Sequence, residues 1–444
     1  MNTLPNDFVE QMKKIKDLDL DAFLLSFQEK EVHSLRFNPL KMKEIRKELK
    51  EKLPKLEPVE WEPWGYYYEE TEDYRPGKSP FHEAGAYYIQ EASAMISAAL
   101  LKPVPGEKIL DLCAAPGGKS TQISAYLQNE GLLVSNEIIG KRADILSENV
   151  ERFGIRNALV TNHDSKTLTD TFPLFFDGIM VDAPCSGEGM FRKNKEAVSE
   201  WSPENVENCM ERQREILTNA YQMLRSGGRM VYSTCTFEKG EDEDMISWFI
   251  QEFPDMKLLH MKRIWPHLDR GEGHFAALLS KGECSPSQNT SDKANRSGKQ
   301  SPKLAEACRL WQEFAKEELS DEFTKVLSTR KEILFGEQLY LLPPGISSVS
   351  GLKVKRPGLH VGTVKNGRFE PAHALALTLS KEDAKKFVDL SYEDAIKYIE
   401  GYGFPCEKEK GWILVTVSGI SLGWGKAAGG MVKNHYPKGL RKLL

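Results

Sequence analysis

Two cysteines each follow a short apolar run of the chain. Cys185 lies in the segment Asp182-Ala-Pro-Cys, and Cys235 lies in the segment Tyr-Ser-Thr-Cys-Thr. The runs FDGIMV and GRMV before them predict buried strands. Because the carboxyl ends of neighbouring parallel strands open on one crevice, we expect both thiols to flank one site. One such cysteine would more often be inert core, but two of them, one beside Asp182, favour covalent chemistry.

Two thiols and a carboxylate at one crevice suit the methylation of a cytosine ring. Carbon 5 of cytosine is a poor nucleophile, and addition of a thiolate to carbon 6 enables it to attack a methyl donor. Asp182 is placed to stabilise the adduct near ring N3 and the exocyclic amine. A second thiol or another base would assist when the carbon 5 proton and the first thiolate leave. The chemistry alone leaves open which cysteine adds to the ring.

A loop of mostly small residues follows the predicted strand KILDL. Small residues let a ligand approach the backbone, and the next helix directs its free N–H groups at that ligand. The Walker A pattern fails because a cysteine occupies the position of its first glycine, and a GxGxxG pattern is absent. A turn without any ligand is the remaining alternative. The loop residues are Cys113, Ala114, Ala115, Pro116, Gly117, Gly118 and Lys119.

Acidic residues end the next two predicted strands as well. Glu137 follows Gly117 by 20 positions, where a carboxylate accepts hydrogen bonds from ribose hydroxyls. Asp164 ends the third strand, where it could border an adenine. Three strand ends that face one crevice favour a nucleoside cofactor without a pyrophosphate. The sequence therefore predicts S-adenosylmethionine as the cofactor.

Strand-like and helix-like patterns alternate between about residues 90 and 280. This alternation predicts an α/β fold, a doubly wound Rossmann-like core whose parallel sheet has helices on both faces. Residues 1–60 have a helical pattern, whereas residues 61–80 are aromatic and interrupted by Pro and Gly, which predicts loops and short strands. From Glu332 onward, short strands with Gly and Pro turns predict a small β-rich domain.

Composition and pattern divide the chain into four parts. Residues 282–303 carry almost no aliphatic side chain, so they cannot bury enough apolar surface to fold and are predicted to be a flexible linker. The predicted parts are an N-terminal α/β extension at 1–90, the core at 91–281, this linker, and a C-terminal region at 304–444.

The overall composition is that of a cytoplasmic protein. No apolar run reaches the roughly 18 residues of a membrane span, and the N-terminus has no signal-peptide core. None of the seven cysteines forms a CxxC pair, so we expect no metal site. The net charge of −5 does not indicate a nucleic-acid binder, but the segment from Ile413 onward has five basic residues and no acidic one. That segment either contacts phosphates or is a solvated surface.

Four motifs, DLCAAPGGKS, SNEI, DAPCSGEGM and YSTCTF, together resemble the Nol/Nop/Sun family of RNA cytosine-5 methyltransferases. RFNPLK (36–41) and GAYYIQEASAM (85–95) resemble the N-terminal signature of that family, so the resemblance covers roughly residues 30–280. It implies that Cys235 is the nucleophile and that Cys185 aids product release. Without it, Cys185 would be the first choice, because DNA cytosine-5 methyltransferases use a Pro-Cys thiol. It also implies that the cofactor is bound by the loop from Cys113 to Lys119 together with Glu137, Asp164 and Asp182.

The C-terminal segment SLGWGKAAGGMVKNHYPKGLRK is similar to the bacterial F-type small-subunit ribosomal RNA methyltransferases, which carry a PUA-like domain. This similarity implies an RNA-binding C-terminal domain and a target cytosine in the decoding region of 16S ribosomal RNA, with the small ribosomal subunit as partner. We expect a monomer. The chain departs from the pattern by its 282–303 insertion and by His274, where an aromatic residue is usual. Two alternatives remain open, a transfer-RNA methyltransferase of the same family and a non-catalytic RNA-binding or ribosome assembly factor.

Overall fold

The computed structural model describes residues 4–41, 49, 51, 55–70, 75–283 and 301–443. Most of the predicted linker, residues 284–300, lies outside the described residues. An N-terminal region, a central region and a C-terminal region follow one another along the chain.

The N-terminal region contains a four-stranded antiparallel sheet of order β2-β3-β1-β4. The prediction of helices over residues 1–60 is therefore wrong in part, because β1 lies within this range. All four residues of β1 are buried, two of them polar, so the strand has no alternation of polar and apolar residues. The elements are α1 (Asn6–Met12), α2 (Leu20–Ser26), β1 (Ser34–Phe37), β2 (Glu57–Val59), β3 (Glu62–Tyr67), a 3₁₀ turn (Pro76–Lys78), α3 (Pro80–Glu83) and β4 (Tyr87–Ile89).

The central region is built on an eight-stranded sheet. Its strands along the chain are β5 (Lys108–Asp111), β6 (Leu132–Asn136), β7 (Ala158–Thr161), β8 (Phe176–Asp182), β9 (Leu224–Thr234), β10 (Met256–Ile264) and β11 (His274–Lys281). The run β7-β6-β5-β8-β9 is parallel, as the alternating pattern predicts. The pattern did not predict the direction of the edge strands β11 and β10, which continue the sheet antiparallel to β9.

Helices cover both faces of this sheet, which confirms the doubly wound α/β core. The helices are α4 (Ile96–Leu101), α5 (Gly118–Leu127), α6 (Gly140–Arg152), α7 (Ser165–Thr171), α8 (Lys195–Glu200), α9 (Pro203–Met223) and α10 (Glu243–Glu252), with 3₁₀ turns at Ser93–Met95 and Glu188–Met190. Apolar residues of α4, α5 and α6 pack on one face, and those of α7, α9 and α10 pack on the other. Ser202 caps α9 by accepting a hydrogen bond from the Asn205 N–H, and Pro203 follows in the first turn.

The C-terminal region contains two further sheets, of order β12-β13-β15-β16 and β17-β19-β20-β21-β18. Its first elements are α11 (Pro302–Glu318), α12 (Asp321–Leu327), β12 (Glu332–Phe335), β13 (Gln338–Leu341), β14 (Val354–Arg356), β15 (Leu359–Lys365), β16 (Arg368–Pro371) and α13 (His373–Thr378). The rest are β17 (Phe387–Leu390), α14 (Tyr392–Glu400), β18 (Phe404–Pro405), β19 (Gly411–Val417), β20 (Ile420–Ala428), β21 (Met431–Asn434) and a 3₁₀ turn (Lys438–Leu440).

Strand β14 does not join the C-terminal sheets. It pairs antiparallel with β7 and forms the eighth strand of the central sheet. Arg356 forms an ion pair with Glu151, and Lys355 Nζ lies 2.7 Å from Asp144 Oδ1, so both side chains attach β14 to α6. The expectation that the segment around residue 354 belongs to a separate β-rich domain is wrong for these three residues.

Candidate active site

The two cysteines meet where β8 and β9 end. The strands are parallel neighbours with Asp182 opposite Ser233, so the loops after them start side by side. The sulfur of Cys185 lies 3.5 Å from the sulfur of Cys235, and the Cys235 N–H donates to the Cys185 sulfur over 3.4 Å. The hydrogen bond with Cys235 and burial raise the pKa of the Cys185 thiol. Cys185 is therefore a neutral thiol at neutral pH.

Asp182 forms a partly buried ion pair at the end of β8. Lys119 Nζ lies 2.8 Å from Asp182 Oδ2, and Ser233 Oγ donates to Oδ1 over 2.9 Å. Burial alone would raise the pKa of Asp182, but the charge of Lys119 and the hydrogen bonds outweigh burial and hold that pKa below its usual value. Asp182 is consequently an ionised acceptor at neutral pH, and it connects Lys119 of the predicted cofactor loop to Ser233 at the end of β9.

The loop between β5 and α5 is held by backbone contacts. The Ala114 N–H donates to the Asn136 carbonyl over 2.8 Å, and Arg142 Nη2 donates to the Ala115 carbonyl over 2.9 Å. Gly117 has a φ of 117°, in the left-handed region, and a Cβ there would lie 3.2 Å from Leu146 Cδ1. Only glycine fits this position without strain, and its missing Cβ allows the loop to pack closely against α6.

Three carboxylates surround Cys113 at the carboxyl edge of the sheet. Burial raises the pKa of the Cys113 thiol, and the charges of Asp111, Asp182 and Glu137 raise it further, so this thiol is unreactive. Glu137 is buried, and its Oε1 accepts a hydrogen bond from the Ile139 N–H over 2.9 Å. Such a concentration of acidic groups suits a ligand that carries positive charge.

Asp111 is a member of this site that the sequence analysis missed. It is fully buried at the end of β5, and Ser120 Oγ donates to its Oδ2 over 2.6 Å. Its Oδ1 has no hydrogen-bond partner among the described residues. Burial raises the pKa of Asp111 to about 7. The available signal was its position, since it ends its strand as Asp182 ends β8.

Asp164 differs from the other carboxylates because its hydrogen bonds are made within a helix cap. It is exposed and caps α7, because Oδ1 accepts from the Thr167 N–H and Oδ2 accepts from Thr167 Oγ1, both over 2.8 Å. Both carboxylate oxygens thus have partners within the helix cap. The contact of this residue with an adenine stays a prediction.

His274, noted in the sequence as a departure from the family pattern, is buried near the ion pair. Its Nε2 lies 2.9 Å from Ser97 Oγ. Burial, followed by the charge of Lys119, lowers the pKa of His274 to about 3. The imidazole is therefore neutral and does not compete with Lys119 for the charge of Asp182.

A buried arginine of the N-terminal region supports the predicted cofactor loop. Arg36 on β1 donates through Nη2 to the Gly118 carbonyl over 3.1 Å and to Thr121 Oγ1 over 2.7 Å, and through Nε to Gln90 Oε1 over 3.0 Å. Burial lowers the pKa of Arg36 to about 10, so it remains charged at neutral pH. The sequence analysis included this residue only within RFNPLK and gave it no role.

Four family models match consecutive parts of the chain. They are described as 16S rRNA methyltransferase RsmB/F (residues 98–280), the N-terminal domain of 16S rRNA methyltransferase RsmF (4–92), the RsmF rRNA methyltransferase first C-terminal domain (313–379) and the methyltransferase RsmF PUA domain (376–442). The chain is similar to the ribosomal RNA small subunit methyltransferase F of Vibrio vulnificus (strain YJ016), with 32% identity over 98% of this chain and 97% of the relative.

Solved structures share the fold over part of the chain. A methyltransferase homologue from Pyrococcus horikoshii is 25% identical with a TM-score of 0.57, covering 62% of this chain and 95% of that chain. The structure of NSun6 from Pyrococcus horikoshii with SFG is 22% identical with a TM-score of 0.55, covering 63% of this chain and 99% of that chain. Within the described ranges, no helix has the length and apolar character to cross a membrane, and no cluster of side chains suited to a metal ion occurs.

Proposed function

Because the chain belongs to the family of ribosomal RNA small subunit methyltransferases F, we propose that it transfers a methyl group from S-adenosylmethionine to carbon 5 of a cytosine in 16S ribosomal RNA, with Cys235 as the covalent nucleophile. One observation supports the chemistry above all others. Two thiols 3.5 Å apart follow strands β8 and β9, and the ionised Asp182 at the end of β8 pairs with Lys119 in the loop at Gly117.

The residues around the loop fit the proposed cofactor. S-adenosylmethionine supplies an electrophilic methyl group on a positively charged sulfur. The acidic surroundings of Cys113 complement that charge, and Glu137 has a carboxylate oxygen, Oε2, whose nearest cation, Arg142 Nη2, is 3.7 Å away. This oxygen is free to accept hydrogen bonds from ribose hydroxyls. The proposed binding set is the loop from Cys113 to Lys119 with Glu137, Asp182 and Asp164.

The cysteines and Asp182 have separate roles in the reaction of the cytosine ring. The Cys235 thiolate forms a bond to carbon 6, so that carbon 5 gains electron density and accepts the methyl group. Asp182, ionised and oriented by Lys119 and Ser233, accepts a hydrogen bond from the exocyclic amine of the cytosine. A base then removes the carbon 5 proton, the bond between Cys235 and carbon 6 breaks, and the ring double bond is restored.

The different surroundings of the two thiols support this division. The pKa of Cys185 is raised by its hydrogen bond with Cys235 and by burial, so this thiol is protonated and is a poor nucleophile. It lies beside the Cys235 sulfur, where a proton is needed when that sulfur leaves the ring as thiolate. We therefore assign the release step to Cys185.

The name of the relative and the C-terminal domains support ribosomal RNA as the substrate. A target base in a helical stem must be flipped out, at a cost of a few kcal/mol. The proposed substrate places the protein in the cytoplasm with the small ribosomal subunit. Bisulfite sequencing of 16S RNA from cells that lack the protein tests whether a cytosine in the decoding region is modified.

Transfer of tritium from methyl-labelled S-adenosylmethionine tests the proposal. We expect incorporation into 16S RNA or small subunits, and none with Cys235→Ala. The matched control is Cys406→Ser, a cysteine of the C-terminal region outside the site, which should retain activity. Preferential labelling of transfer RNA would replace the substrate by the alternative of the same family. Absence of transfer to every RNA by folded, cofactor-binding protein would favour a non-catalytic assembly factor.

A further inference from the structure

The residue after each cysteine belongs to one buried network. Ser186 follows Cys185, Thr236 follows Cys235, and their hydroxyl oxygens lie 2.7 Å apart. Both side chains are buried, with 6% and 0% exposure. The contact joins the two cysteine loops directly, one residue away from the reactive sulfurs.

Each hydroxyl also contacts a buried carboxyl group. Thr236 Oγ1 lies 2.9 Å from Glu188 Oε2, and Ser186 Oγ lies in short contact with Glu241 Oε1. Glu188 and Glu241 are both fully buried. Four side chains thus form an unbroken chain of oxygens in the order Glu188, Thr236, Ser186, Glu241.

The remaining partners of the carboxyl groups are N–H donors. Glu188 Oε1 accepts from Trp201 Nε1 over 2.8 Å, and Oε2 accepts from the Phe237 N–H over 2.8 Å. Glu241 Oε2 accepts from Gln213 Nε2 over 2.7 Å and from the Ser186 N–H over 3.2 Å. The Glu238 N–H donates to Thr236 Oγ1 over 3.2 Å. These N–H groups donate to oxygens of the four side chains. None of them supplies the hydrogen for a contact between two of those oxygens.

If both carboxyl groups are ionised, the four hydrogen-bonded side chains have one hydrogen too few for their contacts. Three oxygen–oxygen contacts need three hydrogens, and the hydroxyls of Ser186 and Thr236 supply two. If Thr236 donates to Glu188, then Ser186 donates to Thr236 and Glu241 must donate to Ser186. If Thr236 donates to Ser186 instead, Glu188 must be the donor. Either arrangement requires one carboxyl proton, and without it two lone pairs would face each other in a buried contact.

We propose that Glu188 and Glu241 are positioning residues that share one proton through Thr236 and Ser186, and that this four-residue chain sets the spacing of the two cysteine loops. The proposal rests on the proposed function, because the loops it joins carry the nucleophile and the releasing thiol. Loss of the shared proton would place two carboxylates and a repulsive contact between the loops. The sulfurs of Cys185 and Cys235 would then no longer be held 3.5 Å apart.

The surroundings of the four hydrogen-bonded side chains favour retention of the shared proton. Burial raises the pKa of Glu188 to about 7 and raises that of Glu241 as well, and the nearby Glu238 adds to both. The cation Arg263 interacts with Glu188 but is itself paired with Asp242 and Glu243. The other titratable groups that interact with the chain are Cys185, Cys209 and Tyr232.

Infrared spectroscopy of the complete protein, with carbon-13 labelled glutamate, detects the shared proton directly. We expect the carbonyl band of a protonated carboxyl group at pH 6, which disappears as the pH rises. Ser186→Ala removes one hydroxyl and two of the three contacts, and the Thr236 hydroxyl supplies the hydrogen for the contact that remains. No carboxyl proton is then required, and the band at pH 6 should be lost. This readout needs neither RNA nor cofactor, so its failure is separate from failure of the proposed function.

Two amide variants test the effect on the reaction. In Glu241→Gln the amide nitrogen can take the position of Oε1 and donate to Ser186, while the amide oxygen still accepts from Gln213. It replaces the shared proton by a permanent donor. In Glu188→Gln an amide N–H must face either the Trp201 N–H or the Phe237 N–H, which is unfavourable in both orientations. We therefore expect Glu241→Gln to be near wild type at neutral pH and Glu188→Gln to be impaired at least tenfold.

The pH profile separates positioning from general stability. Once the shared proton is lost in the wild type, the ratio of kcat for Glu241→Gln to that of the wild type should rise about tenfold for each pH unit. The KM for S-adenosylmethionine should remain unchanged. A constant ratio from pH 6 to pH 9, or absence of the protonated band in the wild type, overturns the proposal. If an amide variant does not fold, the Ser186→Ala spectrum still decides.

Discussion

The sulfur of Cys185 lies 3.5 Å from the sulfur of Cys235, although the residues are 50 positions apart in the chain. A mild oxidant tests this proximity. Hydrogen peroxide should take two hydrogens from the pair, forming a disulfide and water, and the enzyme should lose activity until dithiothreitol restores it. Peptide mass spectrometry identifies the cross-link. Cys406→Ser should still form it, whereas its absence in oxidised wild-type protein would contradict the observed spacing.

The two cysteines should fail in opposite ways when each is replaced. Cys235→Ala should abolish methyl transfer and leave cofactor binding unchanged, because the sulfur that adds to carbon 6 is lost. Cys185→Ala should leave addition intact and impair release, so a covalent RNA–protein adduct should accumulate and migrate slowly on a denaturing gel. Normal turnover of Cys185→Ala would refute the release role. Loss of the adduct in that variant would instead reverse the assignment of the nucleophile.

Asp111 should make stability depend on pH. Its folded pKa of about 7 is above the ordinary carboxyl value of 3.8, so its contribution is complete below about pH 4 and is lost as the pH rises through 7. The difference corresponds to roughly 4 kcal/mol as an upper limit. Asp111→Asn removes this titration, so its Tm relative to the wild type should increase between pH 4 and pH 8. Calorimetry measures it, with the exposed Asp170→Asn on α7 as control.

Arg36 should couple the N-terminal sheet to the cofactor loop. Arg36→Met leaves the Gly118 carbonyl and Gln90 Oε1 without their donors in a buried place, so we expect a loss of about 2–4 kcal/mol in the free energy of unfolding. The Kd for S-adenosylmethionine should rise too, because Gly118 begins α5. Denaturant unfolding and calorimetric titration measure these effects. The exposed Arg75→Met is the control, and equal behaviour of the two variants would refute the coupling.

Much of the catalytic core was predictable because its elements follow local rules. Apolar runs that end in Asp182 and Thr234 predict parallel strands, and parallel strands bring their ends together, so the meeting of Cys185 and Cys235 could be expected from the sequence. The fold class and the relation to the methyltransferase family were confirmed. The predicted domain boundaries and the roles of individual site residues stay predictions.

The features that escaped prediction depend on partners far away in the chain. Strand β1 carries the buried polar residues Ser34 and Arg36, whose hydrogen-bond partners lie 54 to 85 positions onward, so no local pattern marks it as a strand. The proton shared by Glu188 and Glu241 needs four oxygen positions from two loops. Asp111 was visible as a strand-end acid, but its burial was not.

Strand β14 has a consequence for how the enzyme is assembled. The sheet that presents both cysteines receives its last strand from a segment that follows the linker and two helices of the C-terminal region. Until residue 356 has been synthesised, β7 has an unpaired edge that can pair with other chains. The catalytic region excised at residue 281 would carry the same open edge. The sheet therefore gains its eighth strand only after the first elements of the C-terminal region have been synthesised.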